Sequence, residues 1–544
     1  MTNVRRDMNQ STRGGETRPI SRFSIGDEET GEPRNMLHRK LKARHIQMIA
    51  IGGNIGTGLF VGSGKALHTG GPLALIIGFF MVSIAVTLMM QCLGEMSVIF
   101  PIQFTRYASK FIDPSLGFAV GWQYWLCWIS IFGAESSAFV ILVNYWNNDA
   151  RFTPLWISIF IMLNLIIHFA PVRVFGEVEF IVSSIKIITV VFFLVVVWAI
   201  MGGAGPTGQK HGSEYWHLTG LDNGLHNGFK GLAAVFVTAA FAAGGTETIG
   251  VVVGEAQHPG YNLPRAVRTL MWRIFIFYVV SMLFLTFVVR YNSESLVGGS
   301  NANSSPFVLA VREAGITGIP DFLNAIIMLC VVSVGSTSIY TSSRVLKSLA
   351  EEGFAFSVFK KTDKHGRPYV ALAFSASIGV VLCYLNCSST GAIVFGWFTS
   401  ISGLAFFIAW SVIIVCNWRF HAALAVQNDD TLNRRFAFRA MGWPYFPILG
   451  FVLIMFMVVC QLVVSISPIE GKVSARTFFA NFLCVPLFLI LWAGYKLVYK
   501  TEIIPLDKID LLTDRRPEDP EEIEMLERHY NLSFWRRAVS YCHF

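Results

Sequence analysis

The sequence predicts an all-α polytopic membrane protein of about twelve transmembrane helices, and three observations carry that reading. Of the 544 residues, 53% are hydrophobic and only 14% charged, against about 25% charged in soluble domains. Long apolar runs recur from Ile46 to about Val498, many of them reaching the ~20 residues a helix needs to cross a bilayer. Two of these runs are interrupted by glycine clusters at matching places. Transmembrane β-barrels show short alternating segments instead and are excluded.

The spans are expected at about 46–65, 73–99, 117–146, 155–170, 179–200, 229–253, 270–290, 321–350, 370–386, 391–416, 446–466 and 478–498. Lysine and arginine divide unevenly among the connections, about fifteen in the even-numbered and about six in the odd-numbered ones, so the positive-inside rule places both termini in the cytosol. The start of the chain is polar and has no apolar h-region, so no cleavable signal peptide is expected. Residues 1–45 read as a disordered cytosolic tail, 46–498 as the transporter domain and 499–544 as a second cytosolic tail, with the acidic stretch 517–527 also expected to be disordered. These tails are where trafficking or ubiquitin-ligase adaptors would bind.

The formal net charge of +8 does not imply a nucleic-acid partner, because the basic residues sit between apolar spans rather than on one face. Cys92, Cys127, Cys330, Cys383, Cys416, Cys460 and Cys484 lie inside apolar runs without CxxC spacing and read as small core residues. No disulfide framework, metal site or cofactor is expected. The histidines are scattered through tails and loops, His168 stands alone in the fourth span, and no HExxH or GxSxG motif is present. An integral-membrane enzyme is therefore not the expected class.

The first span carries Gly52, Gly53, Asn54, Ile55, Gly56, Thr57 and Gly58, and the sixth carries Phe241, Ala242, Ala243, Gly244, Gly245, Thr246 and Glu247. Glycine costs about 1 kcal/mol in a helix interior, so a cluster at mid-membrane predicts local unwinding. The freed backbone groups are tolerated only where protein or a water-filled cavity satisfies them. Breaks in the first and sixth of ten core helices predict two inverted five-helix repeats, about 46–200 and 229–416, with substrate bound where the breaks meet. Close helix packing is the other use of such glycines, but paired clusters with Asn54, Thr57, Thr246 and Glu247 inside them favour the binding site.

Several ordered motifs carry a resemblance to a known family: Arg44 to Ala50 running into Gly53-Asn54-Ile55-Gly56-Thr57-Gly58-Leu59-Phe60, Leu93-Gly94-Glu95-Met96, Phe111 to Phe118 followed by Gly121-Trp122-Gln123-Tyr124-Trp125, Glu179-Phe180, Ile185-Lys186, the break ending at Glu247, Gly254-Glu255-Ala256, Ser342-Ser343-Arg344 and Ile401-Ser402-Gly403. Over about 45–516 the chain resembles the yeast amino acid transporter family of the amino acid, polyamine and organocation superfamily. The resemblance implies a fold like that of the bacterial leucine transporter. An amino acid would bind near the bilayer midplane, its carboxylate at the amides of Gly56, Thr57 and Gly58. Its ammonium would meet carbonyls at Ile55, Phe241, Ala242 and Thr246, beside Gly245. Such recognition reads what all amino acids share, so selectivity falls to side chains such as Ser136, Ser137, Ser336 and Phe398. The sequence departs from the family pattern in a shortened segment 100–105, in His258 where asparagine is common, in Ser336 for asparagine, and in the ending Tyr541-Cys542-His543-Phe544, where Cys542 is a candidate for lipidation.

An ionised side chain at the bilayer centre costs about 2.5–3.5 kcal/mol on insertion scales, so each of Glu95, Glu135, Lys186 and Glu247 needs a reason. Glu95 either reaches the cytosolic interface or takes part in coupling. Glu135, in a polar island with Ser136 and Ser137, is either a substrate contact or a hydrogen-bond hub. Lys186 is either an interface anchor or, as the resemblance implies, a stand-in for the sodium ion of sodium-coupled cousins. Without a recognisable sodium site, protons are the expected driver, giving a proton-coupled amino acid importer in the plasma membrane that works by alternating access. A non-transporting amino acid sensor of the same family is the alternative; such members carry long cytosolic N-terminal extensions, and here about 45 residues precede the first span.

Overall fold

The computed structural model describes residues 55–533 apart from 148, 254–257, 294–295, 297–304, 365, 388–390, 470–472 and 518. The N-terminal tail, Gly52 to Asn54, the Gly254-Glu255-Ala256 motif and Cys542 lie outside the described residues. Every secondary-structure element among those described is helical. Ten helices are long and apolar enough to cross a membrane, or eleven when the bent pair Ala475–Phe482 and Cys484–Tyr499 counts as one span.

The first helix, α1 (Gly58–Ile99), has 42 residues, about 63 Å at 1.5 Å per residue, twice the ~30 Å hydrocarbon core. It joins the second half of the first span to the whole of the second without a loop. The division falls at Gly71, whose φ of +81° precedes Pro72, and a β-carbon there would lie 2.8 Å from the backbone of Gly224 and His226. The expected spans 46–65 and 73–99 therefore merge, because the turn between them is made by one glycine.

After α2 (Thr105–Phe111), Asp113 caps α3 (Pro114–Val143) by accepting from the Ser115 amide at 2.9 Å, with Pro114 in the first turn. There follow α4 (Thr153–Phe169) and α5 (Val172–Met201), then the broken sixth span, α6 (Gly228–Ala243) and α7 (Ile249–Val252). Next come α8 (Pro259–Val288), α9 (Pro306–Glu313), α10 (Ile319–Glu351), α11 (Tyr369–Tyr384), α12 (Gly391–Gln427), α13 (Tyr445–Ile466), α14 (Ala475–Phe482) and α15 (Cys484–Tyr499). The most apolar windows of α3 and of the sixth span are 89% buried inside the protein, that of α4 only 22%. The first two are thus central, while α4 turns residues such as Ile166 and Phe169 outward, where a bilayer would receive them. The seven cysteines read as core residues are buried and unbridged.

The C-terminal segment corrects the reading of 517–527 as disordered, because α16 (Pro520–Tyr530) forms there. Its composition is acidic, but Asp519 caps it, Glu521 and Glu522 occupy the first turn, and Arg528 and His529 the last, all matched to the helix dipole. Docking supplies the rest: the Gly260 amide donates to Glu522 at 3.2 Å, and Arg516 pairs with the same carboxylate. Upstream, Ile504 N–H donates to Ile112 O at 2.9 Å, Gln427 donates to the Leu506 and Ile509 carbonyls, and Arg516 N–H donates to Ile99 O at 3.0 Å. The tail thus ties together the ends of α1, α2, α8 and α12.

Just past α10, Glu352 accepts from the Ser109 hydroxyl at 2.5 Å. Loss of hydration pushes its carboxyl up to about 7 from an ordinary 4.5, against the opposing pull of Ser109 and Arg106. The native state therefore binds more protons than the unfolded state between those values, so this group's stabilisation is intact below about 4.5 and is lost as pH rises through about 7. In detergent, Glu352→Gln is expected to raise the melting temperature relative to wild type at about pH 8 and leave it unchanged at about pH 4. Equal shifts at both pH values would contradict this.

Candidate functional site

The breaks in the first and sixth spans lie against each other. The helix of the first span begins at Gly58, after Ile55 and Gly56 in non-helical backbone, and the Phe60 amide closes back onto Gly56 O at 3.1 Å. The amides of Gly56, Thr57 and Gly58 precede that bond and stand at the open N-terminal end of the half-helix. In the sixth span α6 stops at Ala243, Gly244 is extended, and Gly245 takes φ +90° before a single 3₁₀ turn over Thr246–Thr248. The approach is close: a β-carbon on Gly58 would lie 2.8 Å from the Ala242 nitrogen, and one on Gly56 would lie 2.7 Å from Val334 Cγ2.

A small cavity of about 20 Å³ opens at this junction, lined by Gly56, Thr57, Gly58, Trp128, Ile131, Glu135, Phe241, Gly244 and Val334. That is room for about one water molecule, so the two breaks are closed on each other in this conformation. Its polar groups are the backbone of the breaks, the Thr57 hydroxyl, the Trp128 indole N–H and Glu135. Thr57 Oγ1 donates to Glu135 Oε1 at 2.7 Å, while Glu135 Oε2, also buried, finds no donor among the described residues. A buried polar atom without a partner calls for an explanation, and here it belongs to a side chain that lines a cavity.

Most of the expected contact residues are therefore assembled: Gly56, Thr57, Gly58 and Phe241 line the cavity, Ala242 backs Gly58, and Ile55, Gly245 and Thr246 lie buried in the two breaks. The expected selectivity residues are not among the lining. Ser136 is buried beside Glu135, Ser137 donates to Gly133 O, and Phe398 packs where a Gly133 β-carbon would be. Ser336 faces α4, its carbonyl 3.1 Å from His168 Nε2. Helical geometry explains the miss: residues 136 and 137 turn away from the face that 128, 131 and 135 share at i, i+3 and i+7. That spacing was the signal that would have nominated Trp128 and Ile131.

The four membrane charges separate. Glu135 alone lines the cavity. Glu247 sits just behind the sixth-span break and accepts from Tyr124 at 2.8 Å, Trp410 Nε1 at 3.0 Å and the Gly245 amide at 3.1 Å to each oxygen. These bonds fix the break to α3 and α12. Glu95 is held by Asn417 at 2.8 Å and His421 at 3.0 Å, and His421 stacks on Trp443 at 3.7 Å, so this carboxylate belongs to a cluster at the far end of α12. Lys186 is fully buried on α5, donates to Ser333 Oγ at 2.9 Å and lies 3.7 Å from Glu179 Oε1. Glu179 and Ser333 were not nominated from sequence, although Glu179 lies seven residues from Lys186, two turns along the same helix face.

The profile of the amino acid permease family matches residues 45–506. The general amino-acid permease GAP1 of Saccharomyces cerevisiae is 39% identical over 492 residues, covering 89% of this chain and 81% of its own. The amino-acid permease GAP5 of Candida albicans is 38% identical over 532 residues, 96% of this chain and 84% of its own. The cationic amino acid transporter 1 of Schizosaccharomyces pombe is 38% identical over 496 residues, with 89% and 82% covered.

Proposed function

The chain belongs to the amino acid permease family, a multi-pass membrane transporter of amino acids rather than an enzyme, and from that premise we propose that it imports them by proton symport with alternating access. The observation that carries the reading is the cavity where the two breaks meet, with Glu135 bonded to Thr57 on its wall. A half-helix N-terminus presents amides and a positive dipole end to the substrate carboxylate, at Gly56, Thr57 and Gly58. Carbonyls freed at Ile55, Phe241, Ala242 and Thr246 take the ammonium, and the Gly245 turn holds them open. Trp128, Ile131, Phe241 and Val334 then surround the substrate side chain, with Ser136, Ser336 and Phe398 acting from behind that wall.

A zwitterion carries no net charge, so concentrating it requires a co-transported ion linked to the conformational step. Glu135 and Lys186 are placed to carry the proton, and Glu247, bonded to the Gly245 amide, and Glu95 to sense its passage. We assign the protein to the plasma membrane with both tails cytosolic, where adaptors reach them. A panel of labelled amino acids offered to permease-deficient fungal cells expressing this chain tests the reading. Uptake should rise as external pH falls, collapse with a protonophore and ignore sodium. Sodium-dependent uptake indifferent to pH would refute proton coupling, and absence of any uptake would favour the sensor.

A further inference from the structure

The cavity does not use the buried pair on α5, yet that pair lies directly behind the cavity wall. Ser333 is next to Val334, which packs against Gly56. Lys186 Nζ donates to Ser333 Oγ at 2.9 Å, and Ser333 Oγ donates to Glu179 at 2.7 Å to Oε2 and 2.9 Å to Oε1. Ser183 adds a longer bond to the same carboxylate at 3.3 Å. A serine hydroxyl has one proton to give and two lone pairs to receive, so it accepts from the ammonium while donating to the carboxylate. All the donors in this chain therefore point from Lys186 towards Glu179.

We propose that Ser333 and Glu179 form the relay by which Lys186 passes the co-transported proton towards the cytosol. This rests on the proton-symport reading above. Glu179 lies seven residues before Lys186, about 10 Å nearer the start of α5 at 1.5 Å per residue, and that end is the cytosolic one in the assigned topology. On the cavity side, Glu135 feels the charge of Lys186. In the transfer a Lys186 N–H bond breaks as an O–H bond forms on Ser333, whose own proton moves to Glu179 Oε2. An ammonium and a carboxylate become a neutral amine and a neutral carboxylic acid, so no net charge leaves the pair inside the low-dielectric interior. Cytosolic water then takes the proton from Glu179 when that side opens, and Lys186 is recharged from the cavity. The titratable neighbours are Glu135 on α3 and Cys330 on α10, with His168 on α4 and Arg344 on α10 acting on each other.

The test uses the purified full chain in proteoliposomes, with the labelled amino acid taken up best in the panel, and reads three quantities: substrate-driven proton uptake, accumulation under a proton gradient, and exchange of internal for external substrate. Glu179→Gln keeps a hydrogen-bonding side chain but cannot take up the proton. It should lose accumulation and substrate-driven proton movement, with exchange the smaller loss because exchange needs no proton release. Ser333→Ala should reproduce that split and Ser333→Thr, which keeps the hydroxyl, should restore coupling. If Glu179→Gln or Ser333→Ala concentrates substrate with wild-type proton uptake, the relay is wrong and proton symport stands. If exchange and accumulation fall together in both, and Ser333→Thr fails to restore them, the pair is an anchor and the relay is overturned. If the wild type moves no protons with substrate, the symport reading fails and the relay with it.

Discussion

Gly58→Leu is expected to abolish uptake while leaving the protein at the cell surface. At this position the backbones of two broken helices touch, and even a β-carbon would come within 2.8 Å of the Ala242 nitrogen. The Ala242 backbone cannot rotate out of the way as a side chain can, so the first-span break must move off the sixth. Binding groups displaced by about an ångström lose function on the order of 100-fold, and here both halves of the site are displaced at once. Gly58→Ala should already show a large loss, because the clash begins at the β-carbon. Gly56→Leu meets Val334 Cγ2 instead, at 2.7 Å, and should fail by filling the cavity. Labelled uptake normalised to surface-labelled protein measures each effect. Wild-type uptake by Gly58→Leu at normal surface level would show that the site lies elsewhere.

That prediction was legible in the sequence because glycine clusters are a local signal. Helix interiors exclude them unless the chain must unwind or another backbone must come close; Gly245 takes φ +90° and Gly58 meets the Ala242 backbone. The side-chain wall was less legible. Trp128, Ile131 and Glu135 could have been grouped by helical spacing, but the contribution of Val334 depends on which face α10 turns towards the first break. That is a tertiary fact with no local mark. Glu247 shows the same limit: its position in the break was evident, while its donors Tyr124 and Trp410 come from helices more than a hundred residues away in each direction. The acidic run at 517–527 misled for a different reason. Its composition matches a disordered tail, and the burial of Glu522 against the Gly260 amide and Arg516 is invisible to composition.

The buried pair on α5 supports a last prediction, and it concerns stability rather than transport. Removing one partner of a buried ion pair costs about 3–5 kcal/mol, because the other charge is left uncompensated. Lys186→Met removes an ammonium that donates to Ser333 and lies 3.7 Å from Glu179. The Glu179 carboxylate then remains 2% exposed, with Ser333 and Ser183 among its donors but without its cation. The single variant should therefore be strongly destabilised in detergent, with low yield and a lowered melting temperature. In the double variant Lys186→Met with Glu179→Gln, no charge is stranded: the amide still reaches the Ser333 hydroxyl and the methionine fills the space of the lysine stem. Replacing both members of a buried pair is often nearly neutral, so the double variant should recover most of the lost stability while remaining unable to accumulate substrate. The two properties are expected to separate because stability depends on the balance of charge, whereas coupling depends on a group that can carry a proton. A double variant as unstable as Lys186→Met alone would mean that the stranded carboxylate is not the cause, and that Lys186 holds the fold through other contacts.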